Sequence, residues 1–353
     1  MKNKIKVGII GTGSISEFHV AGYKKLIDVC EVEAVCDIDK VKVENFAKKH
    51  GIKNSYTDYN EMLANHKLDG VSVCTWNSVH MDASIAALEK KMGVLCEKPM
   101  AINANEAIKM QEVAKKNNSL LMIGFVRRFG NDTEIAKDFI DKGNLGDIYY
   151  AKAKYLRRSG SPGGWFKDKR YSGGGPLIDL SVHVVDLVKY LANNPKPISA
   201  YGVTYSNLGP NRAKGASGYL VEDGDQYQFN VEDLALAMIK FDNGMTLFVE
   251  TSFNLNIKKD ENSIELFGTK GGLKISPDVE LYTELADRFV DVSCHGASAL
   301  SFTGLFEREI AHFVDCLRGE TSCISTGQDG LEIMKIIDAV YESARTNKEI
   351  LIK

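Results

Sequence analysis

Along the first 125 residues, short apolar runs alternate with longer stretches in which charged and apolar residues recur at helical spacing. The runs are Ile5–Ile10, Val32–Cys36, Gly70–Cys74, Val94–Cys96 and Leu120–Phe125, and between them lie Val41–His50, Ala83–Lys91 and Asn105–Asn117. A strand followed by a helix and a further strand needs a crossover connection, so this alternation predicts a parallel sheet. The segment Ile5-Lys6-Val7-Gly8-Ile9-Ile10 is apolar enough for a sheet covered on both faces.

After residue 126 the pattern changes. Gly, Ser and Pro collect in Ser159–Gly164 and Ser172–Pro176, and one strongly helical segment follows at Leu177–Leu191. Alternating runs come next at Ile198–Tyr205, Gln226–Phe229, Leu234–Phe241, Met245–Phe253 and Ser263–Phe267, with a hairpin signal at Asp242-Asn243-Gly244. Helical patterns return at Leu305–Arg318 and Asp329–Thr346. The expected fold is α/β: residues 1–126 form a parallel-sheet domain, and residues 127–353 an α/β domain with a large, mostly antiparallel open sheet.

Composition narrows the function classes. With 353 residues, 44 Lys+Arg against 47 Asp+Glu and a net charge of −3, no basic surplus argues for nucleic acid. No stretch of about 18 uncharged apolar residues predicts a membrane span. Met1-Lys2-Asn3-Lys4 leads straight into an apolar run with no secretory pattern, so a cytoplasmic protein is expected. The seven cysteines are scattered, with neither a disulfide framework nor CxxC metal spacing.

Four motifs carry chemistry. The first strand runs into Gly11-Thr12-Gly13-Ser14-Ile15-Ser16 and then a helical pattern through Phe18, Val20 and Tyr23. Gly11 suits a tight turn, and Gly13 lets a pyrophosphate approach the backbone. Ser14 and Ile15 open a helix whose free N–H groups favour an anion. Asp37 lies 21 residues beyond Ser16, directly after the second strand, where a carboxylate accepts ribose hydroxyls and repels a 2′-phosphate. NAD is therefore expected ahead of NADP.

Two further segments follow strand ends, where open parallel sheets bind ligands. Thr75, Asn77 and His80 follow the strand ending at Cys74 and are placed to meet a cofactor, although Asn77 or Ser78 also reads as a helix cap. Glu97-Lys98-Pro99 follows the next strand; Lys98 there would put an ammonium beside a reacting hydroxyl. The alternative is a surface turn, and the Lys98–Pro99 bond is open to either isomer. Finally, Gly173-Gly174-Gly175-Pro176 precedes a helix on which Asp179, His183 and Asp186 share a face. A histidine flanked by carboxylates can shuttle a proton. A solvated polar face and a metal site are the competing readings; hydride transfer needs no metal, and none is expected.

Taken in order, these motifs, with Val231-Glu232-Asp233-Leu234 and the closing His312-Phe313-Val314-Asp315-Cys316, resemble the Gfo/Idh/MocA family of NAD(P)-dependent oxidoreductases over nearly the whole chain. The resemblance implies a Rossmann domain, a C-terminal α/β domain whose open sheet makes homodimers or homotetramers, and Lys98, Asp179 and His183 as the catalytic set. It also implies that Glu97 and Lys98 of the Glu-Lys-Pro motif, Arg128 of the pair Arg127-Arg128, and Trp165 lie near the cofactor. The family's usual Thr-Pro-Asn is Thr75-Trp76-Asn77 here, so a large ring replaces a rigid proline, and Ser16 and Ser181 stand where glycines are common. The expected activity is oxidation of a secondary hydroxyl of a cyclic polyol, sugar or sugar derivative. The alternatives are an NAD-dependent glycosidase working by transient oxidation and a non-enzymatic NAD(P) sensor. Substrate specificity is expected in Ser159–Tyr171 and Ser206–Gly224.

Overall fold

The computed structural model describes residues 4–209, 226–275, 278–294 and 301–353. In chain order the first elements are β1 (Ile5–Ile10), α1 (Ser14–Lys25), β2 (Cys30–Cys36), α2 (Lys40–His50), β3 (Asn54–Tyr56), α3 (Tyr59–Asn65), β4 (Gly70–Val73), α4 (His80–Glu89), β5 (Gly93–Glu97), α5 (Ala104–Asn117) and β6 (Leu121–Gly124). There follow α6 (Asn131–Asp141), β7 (Ile148–Leu156), α7 (Lys169–Ser172), α8 (Val182–Leu191), β8 (Pro197–Tyr205), β9 (Leu234–Phe241) and β10 (Thr246–Ser252). The remainder is β11 (Glu261–Gly268), β12 (Gly271–Ile275), β13 (Glu280–Leu285), β14 (Arg288–Ser293), α9 (Phe302–Leu317), α10 (Gly327–Thr346) and β15 (Ile350–Leu351).

Two units are formed, residues 1–129 with 301–331, and residues 130–300 with 332–353. In the first, six parallel strands stand in the order β3-β2-β1-β4-β5-β6. The order reverses between β1 and β4, which makes the carboxyl ends of those strands the natural ligand edge. Val7, Ile9, Val35, Leu95 and Met122 fill the sheet's core together with Tyr23 and Phe46 from the covering helices. Residues 301–331 belong to this unit because Ile310, Phe313 and Val314 of α9 enter the same core.

The second unit is built on nine strands in the order β14-β13-β12-β11-β7-β10-β9-β8-β15, antiparallel throughout except for the β7–β10 pair. The β9–β10 hairpin turns where Asp242-Asn243-Gly244 predicts it, with Gly244 at φ +86°. Burial alternates along β10, with Leu247 and Val249 inside and Phe248 outside.

Gln226–Phe229 is not a strand. The Gln228 N–H donates to the Asp168 carboxylate, and the Asn230 N–H to the Lys167 carbonyl, so this backbone is satisfied by a loop instead of a ladder. Leu177–Leu191 is not one regular helix either: Leu177–Ser181 forms a π-helical turn before α8 begins. Among the described residues, no helix is long and apolar enough to cross a membrane.

Candidate active site

The glycine loop is shaped by steric necessity. Gly11 sits at φ +95°, and a Cβ there would lie 2.4 Å from the Cys74 carbonyl oxygen. Gly13 caps α1 without any side-chain hydrogen bond, and a Cβ on it would meet nothing within 4 Å. Gly13 and Ser14 are exposed and Ile15 is half-buried, so the first turn of α1 offers open N–H groups at its positive end. Ser16 is buried, its hydroxyl donating to the Gly13 carbonyl at 2.6 Å. A pyrophosphate fits this cradle.

Asp37, just past β2, ties the loop down. Thr12 donates both its N–H and its hydroxyl to Asp37 Oδ2, at 2.8 and 2.9 Å, and the Asp39 N–H donates to Oδ1 at 3.0 Å. A carboxylate has about four acceptor positions, so capacity for ribose hydroxyls remains. Ile38, between the two aspartates, is 75% exposed, and the lysines that follow, Lys40 and Lys42, lie against Glu44 and Asp39.

His80 opens α4 and is buried. Its Nδ1 lies 2.8 Å from the Pro99 carbonyl and its Nε2 3.2 Å from the Thr75 carbonyl, so it joins the loop after β4 to the turn after β5. Burial lowers its pKa despite these bonds. Asn77 is buried in the same loop, and half-buried Thr75 donates its hydroxyl to the Trp76 carbonyl. Lys98–Pro99 is a cis peptide. Glu97 is buried, with Oε1 against His19 Nε2 at 2.8 Å and Oε2 accepting the Lys98 N–H at 3.2 Å. Arg128 follows β6, whose Gly124 pairs with Glu97 of β5. Its buried guanidinium donates to the Ile324 carbonyl and pairs with Asp329 at 3.3 Å.

In the second unit, Asp179 is on the π-helical turn and His183 opens α8. Asp179 and Asp186 are buried and His183 is half-buried, so this is not a solvated polar face. Its approach is fixed by a residue to which the sequence assigned no role. The Gly175 N–H donates to Glu232 Oε2 and the Leu177 N–H to Oε1, each at 3.0 Å, while the Tyr341 hydroxyl donates to Oε1 at 2.9 Å. Burial raises the pKa of Glu232. The neighbouring glycines are obligatory: a Cβ on Gly174 would lie 1.9 Å from the Tyr341 hydroxyl oxygen, and one on Gly175 2.2 Å from the Glu232 carbonyl oxygen.

Trp165 stands half-buried in the same unit and stacks on Phe166 with ring centres 3.8 Å apart. Asp168 anchors this segment; its hydrogen bonds to Arg170 hold its carboxyl at about 2. Of the expected specificity segments, residues 159–171 and 206–209 are described, and residues 210–224 lie outside the described residues.

Lys98 thus belongs to the first unit, and Asp179 and His183 to the second. Among the described residues, two other groups bring ligand-type atoms within 4.8 Å of one another: His312, Cys316 and Cys323, and His19, Glu97 and Glu309. In the former, the Ile324 N–H donates to His312 Nε2 at 3.1 Å, and burial pushes the Cys316 thiol up to about 12.

The comparisons with known proteins agree with this geometry. Residues 5–125 match the oxidoreductase family's NAD-binding Rossmann fold, and residues 137–352 its C-terminal α/β domain. The chain is 31% identical to D-glucoside 3-dehydrogenase of Escherichia coli over 348 residues, covering 98% of this chain and 97% of that protein. It is 24% identical to myo-inositol 2-dehydrogenase of Thermotoga maritima, covering 99% of each. The fold is shared with levoglucosan dehydrogenase in complex with NADH and levoglucosan, at a TM-score of 0.85 and 22% identity, over 99% of this chain and 100% of that one. The chain, an NAD-binding oxidoreductase, belongs to the Gfo/Idh/MocA family.

Proposed function

We propose that the protein is an NAD-dependent dehydrogenase that oxidises a secondary hydroxyl of a cyclic polyol, sugar or sugar derivative. The observation that carries the reading is the pair Asp179 and His183, withdrawn from solvent on a turn that Glu232 and the glycine run hold rigid. An imidazole so placed accepts the proton of the reacting hydroxyl, with His183 as general base, and the Asp179 carboxylate favours the positive charge that develops as the proton is taken. Lys98 contributes an ammonium that holds the hydroxyl oxygen and favours its deprotonation. Bound NAD⁺ supplies the hydride acceptor.

In this reading the N–H groups beginning α1 at Gly13, Ser14 and Ile15 bind the pyrophosphate, and Gly11 clears its approach. Asp37 accepts the ribose hydroxyls. Thr75, Asn77 and Glu97 shape the cofactor edge, and His80 acts by pinning their loops together. Trp165 supplies a flat apolar wall. Arg128, just past β6 and paired with Asp329, adds a positive charge for the cofactor. The likeness to D-glucoside 3-dehydrogenase supports a sugar ring as substrate.

The open face of the second unit's sheet supports assembly into a homodimer or homotetramer. Tyr201, Met238 and Phe248 lie side by side across β8, β9 and β10, and Tyr201 and Phe248 are exposed. The deciding experiment is NAD⁺ reduction, followed by NADH absorbance, across glucosides, aldoses and inositols, with the wild type and His183→Ala in parallel. Reduction with one substrate class, lost in the variant, is expected. NAD⁺ bound but never reduced would overturn the reading, and aglycone released without NADH would point to transient oxidation instead.

A further inference from the structure

Glu309 of α9 is wholly buried, and neither of its carboxyl oxygens has a hydrogen-bond partner. It lies near His19 and Tyr23 from α1, Cys74 after β4, and Glu97 from β5. These neighbours are already linked. The Tyr23 and Ser72 hydroxyls lie 2.7 Å apart, Ser72 is 3.1 Å from His19 Nδ1, and His19 Nε2 is 2.8 Å from Glu97 Oε1. Ligand-type atoms of His19, Glu97 and Glu309 all fall within 4.8 Å of one another. Apolar Phe306 and Ile310 come from the same helix, and both are buried.

Two carboxylates so close, out of water, cannot both stay ionised, since each charge raises the cost of the other. Glu97 is the better carboxylate, because it accepts from His19 and from the Lys98 N–H. Glu309 has no donor to stabilise a negative charge. We propose that Glu309 is a neutral carboxylic acid that shares its proton with Glu97, and that the closed His19–Glu97–Glu309 cluster makes it a positioning residue for Lys98. A small rotation that brings the two carboxyl groups into contact lets the Glu309 O–H donate to Glu97, which satisfies one of the two orphaned oxygens. Burial first, and the charge on Glu97 second, raise the pKa of Glu309 well above the usual carboxylate range.

Linkage gives the test its sign. A carboxyl whose folded pKa is raised above its unfolded value stabilises the fold below the unfolded pKa and loses that contribution as pH climbs towards the folded one. Glu309→Gln keeps the shape and a donor for Glu97 but does not titrate. Denaturant unfolding of the full chain is therefore expected to show Glu309→Gln gaining on the wild type between about pH 5 and about pH 8, by up to about tenfold in the folding equilibrium per pH unit. The wild type should also show the infrared carbonyl stretch of a protonated carboxylic acid at neutral pH, absent from Glu309→Gln. A difference flat with pH, or no such band, would overturn the neutral acid. So would one tightly bound divalent metal ion per chain, by elemental analysis, that disappears in Glu309→Gln.

The positioning half rests on the proposed dehydrogenase reading. Glu309→Met, with no proton to share, is expected to lower kcat by about tenfold or more with KM for NAD⁺ unchanged, while Glu309→Gln retains kcat. Equal rates for the two variants would sink it. Should Glu309→Met fail to fold, Glu309→Gln and the infrared band still decide the protonation. Because those two readouts need no substrate, a failed dehydrogenase reading leaves them standing.

Discussion

Removing the Tyr341 hydroxyl tests whether Glu232 holds the glycine turn in front of Asp179 and His183. The hydroxyl donates to Glu232 Oε1 at 2.9 Å, the Leu177 N–H shares that oxygen at 3.0 Å, and the Gly175 N–H takes the other oxygen at 3.0 Å. Glu232 is only 7% exposed, so water does not replace a lost donor readily. A hydrogen bond to a charged group contributes about 1.5–3 kcal/mol, and Oε1 keeps the Leu177 N–H, so Tyr341→Phe should cost about that much and strand no acceptor. At about 2–4 °C per kcal/mol for a unit of this size, the melting temperature should fall by about 3–12 °C.

Glu232→Gln presents one oxygen and one amide, and whichever way it faces, at least one buried donor is left unmatched at about 1–3 kcal/mol. The two substitutions act on one network, so the double variant should lose less than the sum by about 1 kcal/mol. Asp179 lies on the turn that begins at Leu177 and His183 just beyond it in α8, so kcat should fall in each variant. NAD⁺ affinity should hold, because the residues assigned to NAD⁺ through its pyrophosphate and ribose lie in the other unit. Unfolding curves for the four proteins and an NAD⁺ titration check this. A Tyr341→Phe effect within about 0.5 kcal/mol of zero, or strict additivity with Glu232→Gln, would refute the clamp.

The glycine loop separates fold from binding: Gly11→Ala should lower both stability and NAD⁺ affinity, its Cβ striking the Cys74 carbonyl, whereas Gly13→Ala should melt like the wild type and bind NAD⁺ weakly. Asp37→Ser should narrow the preference for NAD⁺ over NADP⁺ by about tenfold or more, read as the ratio of kcat/KM, since a repelling charge beside the ribose is removed. His183→Ala should lose about 10²–10⁴ in kcat with NAD⁺ binding intact, measured by turnover and titration side by side. Phe248→Glu puts a charge on the open sheet face and should shift the protein towards monomer in light scattering, with β10 undisturbed because that side chain already points outward.

The chain's order of strands, glycine loop and strand-end motifs was legible because each signal is local. A Gly at φ +95°, an acid after β2 and a lysine after β5 need only their neighbours to make sense. β7 went unread although Ile148–Leu156 contains paired small and large residues, since its partners β10 and β11 come about a hundred positions later. Gln226–Phe229 misled in the opposite direction: its composition suits a strand, but the Asp168 carboxylate takes the Gln228 N–H.

The same distinction runs through the candidate site. Asp179, His183 and Lys98 are visible as motif residues, whereas the groups that hold them are defined by distant partners. Glu232 meets Gly175 across 57 positions and Tyr341 across 109, and His19 meets Glu97 across 78. Arg128 is half legible in the same way: its motif is local, but its pairing with Asp329 spans 201 positions. Glu309 is the extreme case. Sequence places it on an amphipathic helix where a glutamate reads as solvated surface, and only its orphaned, fully buried carboxyl reveals a proton that must be shared.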